Sequence, residues 1–323
     1  MQVKFGLAPN TIYAYGRALN DYLGFCSKCS VEPLSATREH IANYVNNLTT
    51  RTHQAQGRFP SKGQGLANAT IQQRLTGVRL FYDHLLEDGL RTDNPVGRGR
   101  YTPGKRFGGQ RDRGLIPHFH KLPWIPTDDQ WQQVLAAAQG EPIRNRVMLA
   151  LAYDAGLRRE ELCALAITDV DFSRRLLSIR AETTKNRQSR VVPYSVVTSE
   201  MLALYLRKRR ELSRAPGPLF LSESRRNQAQ PLSIWTWTKV IKNIAAHANL
   251  PQLTTHTLRH LCLTDLARAD WDIHEIAIFA GHRSIQTTLQ YIHLSGRDLA
   301  KKLERSMASI HDMRIRLMKE VLK

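Results

Sequence analysis

The sequence predicts a mainly α protein of two domains, with a small antiparallel β-sheet in the second. Three observations lead there. Residues 10 to 90 carry apolar side chains at helical spacing. The stretch from Asn94 to Pro123 is rich in glycine and arginine and has no periodicity. Beyond it, two short β-prone runs are embedded in helical sequence.

The elements follow in order. Asn10 or Thr11 can cap a first helix, in which Ile12, Tyr15, Leu19, Tyr22 and Leu23 form an apolar stripe. Ile41, Tyr44, Val45 and Leu48 make a second stripe; Ile71, Leu75, Val78, Tyr82 and Leu85 make a third. Between them Thr49 to Asn68 is polar and reads as a flexible insertion. Asn94 to Pro123 reads as an interdomain linker, and its basic residues (Arg98, Arg100, Lys105, Arg106, Arg111, Arg113 and Lys121) suit a strap across phosphates better than a plain spacer. Near Trp124 the second domain begins. Thr127-Asp128-Asp129-Gln130 opens a helix with a cap and an acidic first turn. A helix over 143–154 follows, and Ala155-Gly156 ends it, because glycine suits the left-handed position after a helix. Leu176 to Ala181 and Ser189 to Tyr194 are the two strands, joined by ETTKNRQ. Helices dominate from Leu202 onward.

Composition narrows the partner. Lys and Arg number 47 against 28 Asp and Glu, a net charge of +19, and the basic residues recur in both halves. A folded protein lying along a polyanion fits that balance better than one with a basic tail. No stretch approaches the ~20 apolar residues of a membrane helix, and MQVKFGLAPNT lacks the signal-peptide pattern. The expectation is a cytoplasmic protein with no membrane contact. Cys26 and Cys29 form one CxxC without a second pair, so they read as helix thiols and not as a zinc site; Cys163 and Cys262 read as core residues.

Four pieces of the second domain carry chemistry: Arg158 in AGLRREEL, Lys185 in the hairpin loop, THTLRHL with His256 and Arg259, and AGHRSIQTTLQYIH with His282 and Tyr291. Each alone is commonplace. Arginines and loop lysines are usually solvated, polar residues three apart are frequent on helices, and a tyrosine is usually packed. His256 and Arg259 do share a helix face. Gly281 can stop one helix and Ser284 can cap the next, placing Tyr291 two turns in.

Order and spacing together resemble the tyrosine recombinase (phage integrase) family. Ala155 to Asp169 resembles its "GLR..EL..L...D" block, with Glu161, Leu162, Leu165 and Asp169 in place. Lys185 stands five residues before the Arg190-Val-Val-Pro193 run, and TTLQYIH resembles the segment around the family's nucleophile. The likeness spans 124–295; the N-terminal helices are similar in kind to the family's core-binding domain. Arg159 departs from the usual apolar or small residue and has no functional reading.

The resemblance implies a two-domain DNA clamp: a helical, SAM-like DNA-binding domain over 1–93, a basic linker over 94–123, a catalytic domain over 124–295, and a C-terminal helix over 296–323 that contacts a neighbouring protomer. Leu299, Leu303, Met307, Ile310, Leu317 and Val321 give that last segment an apolar stripe. It also implies Tyr291 as nucleophile, Arg158 and Arg259 as a clamp on the phosphate oxygens, His256 and His282 as supporting donors, and Lys185 as general acid. The expected reaction passes through a 3′-phosphotyrosyl intermediate and needs no metal, ATP or other cofactor. Its partners would be double-stranded DNA with recombination sites and three further copies in a tetramer. Planar guanidinium forks suit phosphorane oxygens, whereas a phenol near pKa ~10 needs a base or a cationic pocket; His256 is the candidate base, and the arginine clamp itself is the other. Integration or transposition of a mobile element is the expected job, with dimer resolution or inversion as alternatives. A relaxing topoisomerase has similar chemistry, but the small helical domain and the Gly-His block favour a recombinase. A non-catalytic DNA-binding protein of the same fold is the reading of another class.

Overall fold

A computed structural model describes residues 9–51, 65–97, 115–116, 122–184 and 187–294, with 307, 310 and 312–315. The chain divides into two compact units, 1–121 and 122–323. The architecture is mainly α with one three-stranded antiparallel sheet.

In the first unit, α1 (Pro9–Lys28), α2 (Arg38–Thr50) and α3 (Asn68–Glu87) pack around one core. Helix α1 begins at Pro9, so Asn10 and Thr11 lie inside it and do not cap it. Proline tolerates that position because a first-turn N–H has no helical partner. The inward row of α1 is Ala18, Tyr22 and Cys26, one helical turn apart, while Leu23 faces out at 36% exposure. Small residues set this register: a Cβ on Gly77 of α3 would stand 3.2 Å from Ala18 Cβ and from the Tyr15 carbonyl. The α2 and α3 stripes are buried as their spacing predicts, except Val45 of α2, which is half-buried. Tyr82 donates to the Pro33 carbonyl at 3.0 Å and meets the Tyr22 hydroxyl at 2.6 Å. Asp21 takes Arg51 in a two-point contact at 2.9 and 3.0 Å, with Arg74 and Tyr44 beside it. Burial would raise the Asp21 carboxyl, but these donors hold it down at about 2. Val96 and Ile116, both from the aperiodic 94–123 stretch, are buried in the same core. Cys26 is buried and Cys29 exposed.

The second unit opens with α4 (Asp128–Gln139), capped by Thr127, whose hydroxyl accepts from Gln130 N while the Gln130 side chain accepts from Thr127 N. Helix α5 (Ile143–Asp154) ends at Ala155, and Gly156 has φ +54. A five-residue helix, α6 (Arg159–Cys163), follows. Next come β1 (Val170–Asp171), β2 (Leu176–Ile179) and β3 (Arg190–Pro193). Leu177 pairs with Val192 and Ile179 with Arg190. Leu177, Ile179 and Val192 point into the core, while Val191 is 59% exposed, the alternation of a one-sided sheet. The strands are shorter than their apolar runs: Ala181–Thr183 turns into a 3-10 segment. Strand β1 has no signature in the sequence, because two residues carry no periodicity. The unit closes with α7 (Val196–Leu212), α8 (Ile234–His247), α9 (Thr255–Arg268), α10 (Ile273–Ala280) and α11 (Gln286–Leu294). Helix α11 starts at Gln286, so Ser284 is not its cap; its carbonyl accepts from Thr287 N. Leu151, Leu162, Phe220, Trp237, Leu258, Leu263 and Phe279 belong to one core; full burial of an aliphatic side chain of this kind stabilises by about 1.5–3 kcal/mol. Cys163 and Cys262 are buried there too. Among the described residues no helix is long and apolar enough to cross a membrane.

Candidate active site

The site is assembled by three helix ends and one turn. Arg158 is the residue before α6, held there by its own backbone. Its N–H donates to Glu161 Oε2 at 2.9 Å, the usual reach of a third-position glutamate to a helix start. The same carboxylate takes Arg158 Nη1 at 2.7 Å and both Nη atoms of Arg190 at 3.1 and 2.7 Å. Glu161 is 1% exposed. Burial would raise its carboxyl, but hydrogen bonds and charge from Arg190 and Arg158 bring it down to about 2. A buried anion thus sits behind Arg158 and orients its outward edge.

Arg259 stands in the second turn of α9, whose start is capped by Thr254, with reciprocal bonds to Thr257. It is 4% exposed. Nη1 donates to the Gly156 carbonyl and Nη2 to the Ala280 carbonyl, each at 2.6 Å. Burial first, then Arg158, lowers its guanidinium to about 10, so it stays a cation at neutral pH.

The turn after α10 binds both arginines. Gly281 adopts φ +63, and its carbonyl accepts from Arg158 Nη2 at 3.3 Å. That left-handed turn places His282 beside Arg259, with Nε2 3.0 Å from Arg259 Nη2. A guanidinium only donates, so His282 Nε2 accepts. Nδ1 therefore carries the hydrogen and donates to Thr288 Oγ1 at 2.9 Å. Burial, Arg259 and Arg158 push the His282 imidazole down to about 3, so it is neutral.

Tyr291 lies in the second turn of α11, 1% exposed, with its ring stacked on His282 at 6.0 Å and 7°. Its hydroxyl is 3.0 Å from His260 Nδ1. Burial raises the phenol, and Arg259, a Gln290 hydrogen bond and Arg158 oppose the rise. His256, two residues into α9, is exposed; desolvation of its ring, opposed by Glu160 and reinforced by Arg259, Arg159 and Arg158, lowers its pKa.

Arg158, Arg259, His282, His256 and Tyr291 are therefore brought to one basin. Lys185 lies outside the described residues, as do Arg98, Arg100, Lys105, Arg106, Arg111, Arg113 and Lys121. Of the predicted C-terminal stripe, Met307 and Ile310 are described, both helical. Two residues of the site have no role that the sequence assigns. His260 bonds the tyrosine hydroxyl, and its only signal is the i, i+4 spacing to His256. Arg190 closes on Glu161 and on the Phe279 carbonyl, at 2.9 Å; the sequence shows it at the head of the Arg190-Val-Val-Pro193 run but gives it no role, since its partners are distant in sequence. Arg159, the departure from pattern, bonds Glu160 and Thr238 and lies over the Trp235 ring at 5.7 Å. Asp169 is structural, accepting from Ala166 N and Arg180 Nε. Among the described residues no three His, Cys, Asp or Glu side chains gather to hold a metal ion.

A basin with two guanidinium cations, neutral imidazoles and a phenol can bind a phosphodiester and present oxygen to its phosphorus. Similarity to known proteins agrees with the geometry. The phage integrase family matches over residues 126–297, and the phage integrase N-terminal SAM-like domain over 1–92. Fold and site define a site-specific DNA recombinase of the tyrosine class. The chain belongs to the phage integrase family. It is 28% identical over 306 residues to the tyrosine recombinase XerD of Halalkalibacterium halodurans, covering 91% of this chain and 90% of that protein. It is likewise 28% identical to XerD of Caulobacter vibrioides, over 93% and 91%. Among solved structures it resembles XerH bound to palindromic difH (TM-score 0.68, 18% identity, covering 91% of this chain and 79% of that one). It also resembles the Tn1549 transposon integrase in complex with transposon right end DNA (TM-score 0.67, 17% identity, 94% and 96%). These two likenesses are of fold.

Proposed function

We propose that this recombinase cuts and rejoins duplex DNA with Tyr291 as nucleophile, through a 3′-phosphotyrosyl intermediate. The observation that carries the reading is the shared basin. The Tyr291 ring stacks on His282, His282 bonds Arg259, Arg158 donates to the Gly281 carbonyl and Arg259 to the Ala280 carbonyl beside it. Attack on a phosphodiester adds charge to its two free oxygens. Arg158 and Arg259 meet that charge, already fixed in place before DNA arrives; removing one such donor typically costs ~10²–10³ in rate. His256 adds a hydrogen bond to the same oxygens; His282, whose ring nitrogens are both taken by Arg259 and Thr288, is not a donor to them and instead holds Arg259 in place. Lys185 protonates the departing 5′-oxygen. The phosphotyrosyl bond conserves the energy of the broken one, so a second 5′-hydroxyl restores a DNA backbone without ATP. The work is done on two duplexes by four protomers, with the 296–323 segment reaching a neighbour.

For the biological job we retain integration or transposition of a mobile element as the reading to test. Full-length likeness to relatives named XerD favours the alternative, resolution of dimers. A reporter with two sites in one plasmid and another with one site on each of two plasmids separates the jobs. Excision without intermolecular joining supports resolution; efficient joining supports integration. The chemistry is tested on a nicked suicide substrate of the true site. Wild type is expected to form a covalent adduct, and Tyr291→Phe to bind the DNA equally well without one. An adduct from the Phe variant would sink the assignment; no adduct from wild type would favour a DNA-binding protein that only keeps the fold.

A further inference from the structure

We propose that His260 accepts the proton of Tyr291 as the tyrosine attacks, a role that rests on Tyr291 being the nucleophile. The distances select it: His260 Nδ1 is 3.0 Å from the tyrosine hydroxyl, within transfer range. His256 lies one turn earlier with its ring 6.4 Å from that of His260, and His282 is committed through Nε2 to Arg259 and through Nδ1 to Thr288. Among the described residues, the imidazole nitrogen hydrogen-bonded to the hydroxyl belongs to His260. The residue is fixed by the second turn of α9, where its carbonyl accepts from Thr264 Oγ1 at 2.8 Å.

The charges around it suit the step. His256 and Arg259 face His260 from its own helix, Tyr291 from α11, and the His282 ring stacks on the far partner of the pair. Burial, then His256 and Arg259, holds the His260 imidazole down at about 4. It is thus neutral at neutral pH, and in the tautomer with its hydrogen on Nε2 the Nδ1 lone pair accepts from the phenol. In the DNA-free site it is a weak base. An incoming phosphate, gaining negative charge as the phosphorane forms, offsets the cations that depress it. Its basicity rises at the moment the phenol must lose its proton.

The step balances. The Tyr291 oxygen forms a bond to phosphorus, the bond from phosphorus to the 5′-oxygen breaks, and the phenolic proton passes to His260 Nδ1. The 5′-oxygen takes a different proton, from Lys185. In rejoining, the His260 imidazolium returns its proton to the departing phenolate.

Single-turnover adduct formation against pH is the test. Wild type should give a rate nearly flat from roughly pH 6 to 9, because a neutral base is present throughout. His260→Gln keeps a hydrogen-bond acceptor for the hydroxyl but cannot take up a proton. It should bind DNA normally, react ~10²–10⁴-fold slower at neutral pH, and gain about tenfold in rate per pH unit as the phenol ionises in bulk. A substrate with a 5′-sulfur leaving group, which departs without a proton, should rescue Lys185→Ala and leave His260→Gln slow. Rescue of His260→Gln by that substrate would move the residue to the leaving-group side and overturn the proposal. So would a wild-type rate that itself climbs tenfold per pH unit, whatever the variants do. Tyr291→Phe run alongside separates the two claims: an adduct there removes the nucleophile, not merely its base.

Discussion

Glu161 shows how one residue organises this site. A carboxylate 1% exposed is costly to bury unless its oxygens are filled, and here two guanidiniums and a backbone N–H fill them. Replacing it by Gln keeps the shape but leaves Arg158 and Arg190 facing each other without a counter-charge. Glu161→Gln should lose about 3–5 kcal/mol of stability, read from the urea midpoint. Its pH dependence has a definite sign. The folded pKa lies below the ordinary value of 4.5, so the contribution is complete above about 4.5 and disappears as pH falls toward 2. The gap in melting temperature between wild type and variant should close across that window; a gap that stays constant would mean the charge is not what stabilises. Arg158, His256, Arg259, His282 and Tyr291 are legible from residue type and spacing, because short motifs carry them. Glu161 is legible only as a motif letter without a function. Its function depends on Arg190, twenty-nine positions away, and no local pattern encodes that pairing.

At the scale of elements, the site depends on how helices end. Thr254 starts α9 so that Arg259 and His260 project from its second turn, and Gly281 ends α10 so that His282 doubles back onto Arg259. The left-handed turn is the more demanding of the two. At φ +63 an added Cβ would meet Arg190 Cδ and Nη1 at 3.2 Å. Gly281→Ala should cost about 1–2 kcal/mol from backbone conformation alone. It should also slow adduct formation by ~10²-fold, since a shift of about 1 Å in a positioned group has that effect. Thr254→Ala should cost about 1 kcal/mol with a smaller loss of rate, because the helix remains. Equal effects in the two variants would show that global stability, not the turn, limits the chemistry. Long elements such as α3 and α5 are legible in the sequence because many apolar residues repeat the same angle. Cap chemistry also reads well at Thr127 and Gly156. Where one local signal competes with another it misleads: Asn10 and Thr11 have the side chains of caps, but the helix runs back to Pro9, and Ser284 has the side chain of a cap where α11 starts two residues later.

The whole molecule carries a net charge of +19, and only its interaction with a polyanion gives that charge a purpose beyond solubility. Lys and Arg that neutralise phosphates release condensed cations, so log affinity falls with log salt at a slope of about −0.9 for each phosphate met. A protein meeting six to ten phosphates would lose roughly 10³–10⁵ in affinity between about 50 and 200 mM salt. The segment holding Arg98, Arg100, Lys105, Arg106, Arg111 and Arg113 discriminates between two designs. If it straps the duplex, changing these six to Gln should flatten the slope by about 0.9 for every one that touches phosphate. The adduct rate of the saturated complex should stay near wild type, because none of the six is among the groups proposed to carry the chemistry. If the segment is a spacer, the slope will not move. The two results differ because a strap contributes contacts that salt competes with, whereas a spacer contributes only reach, and reach is insensitive to counterions.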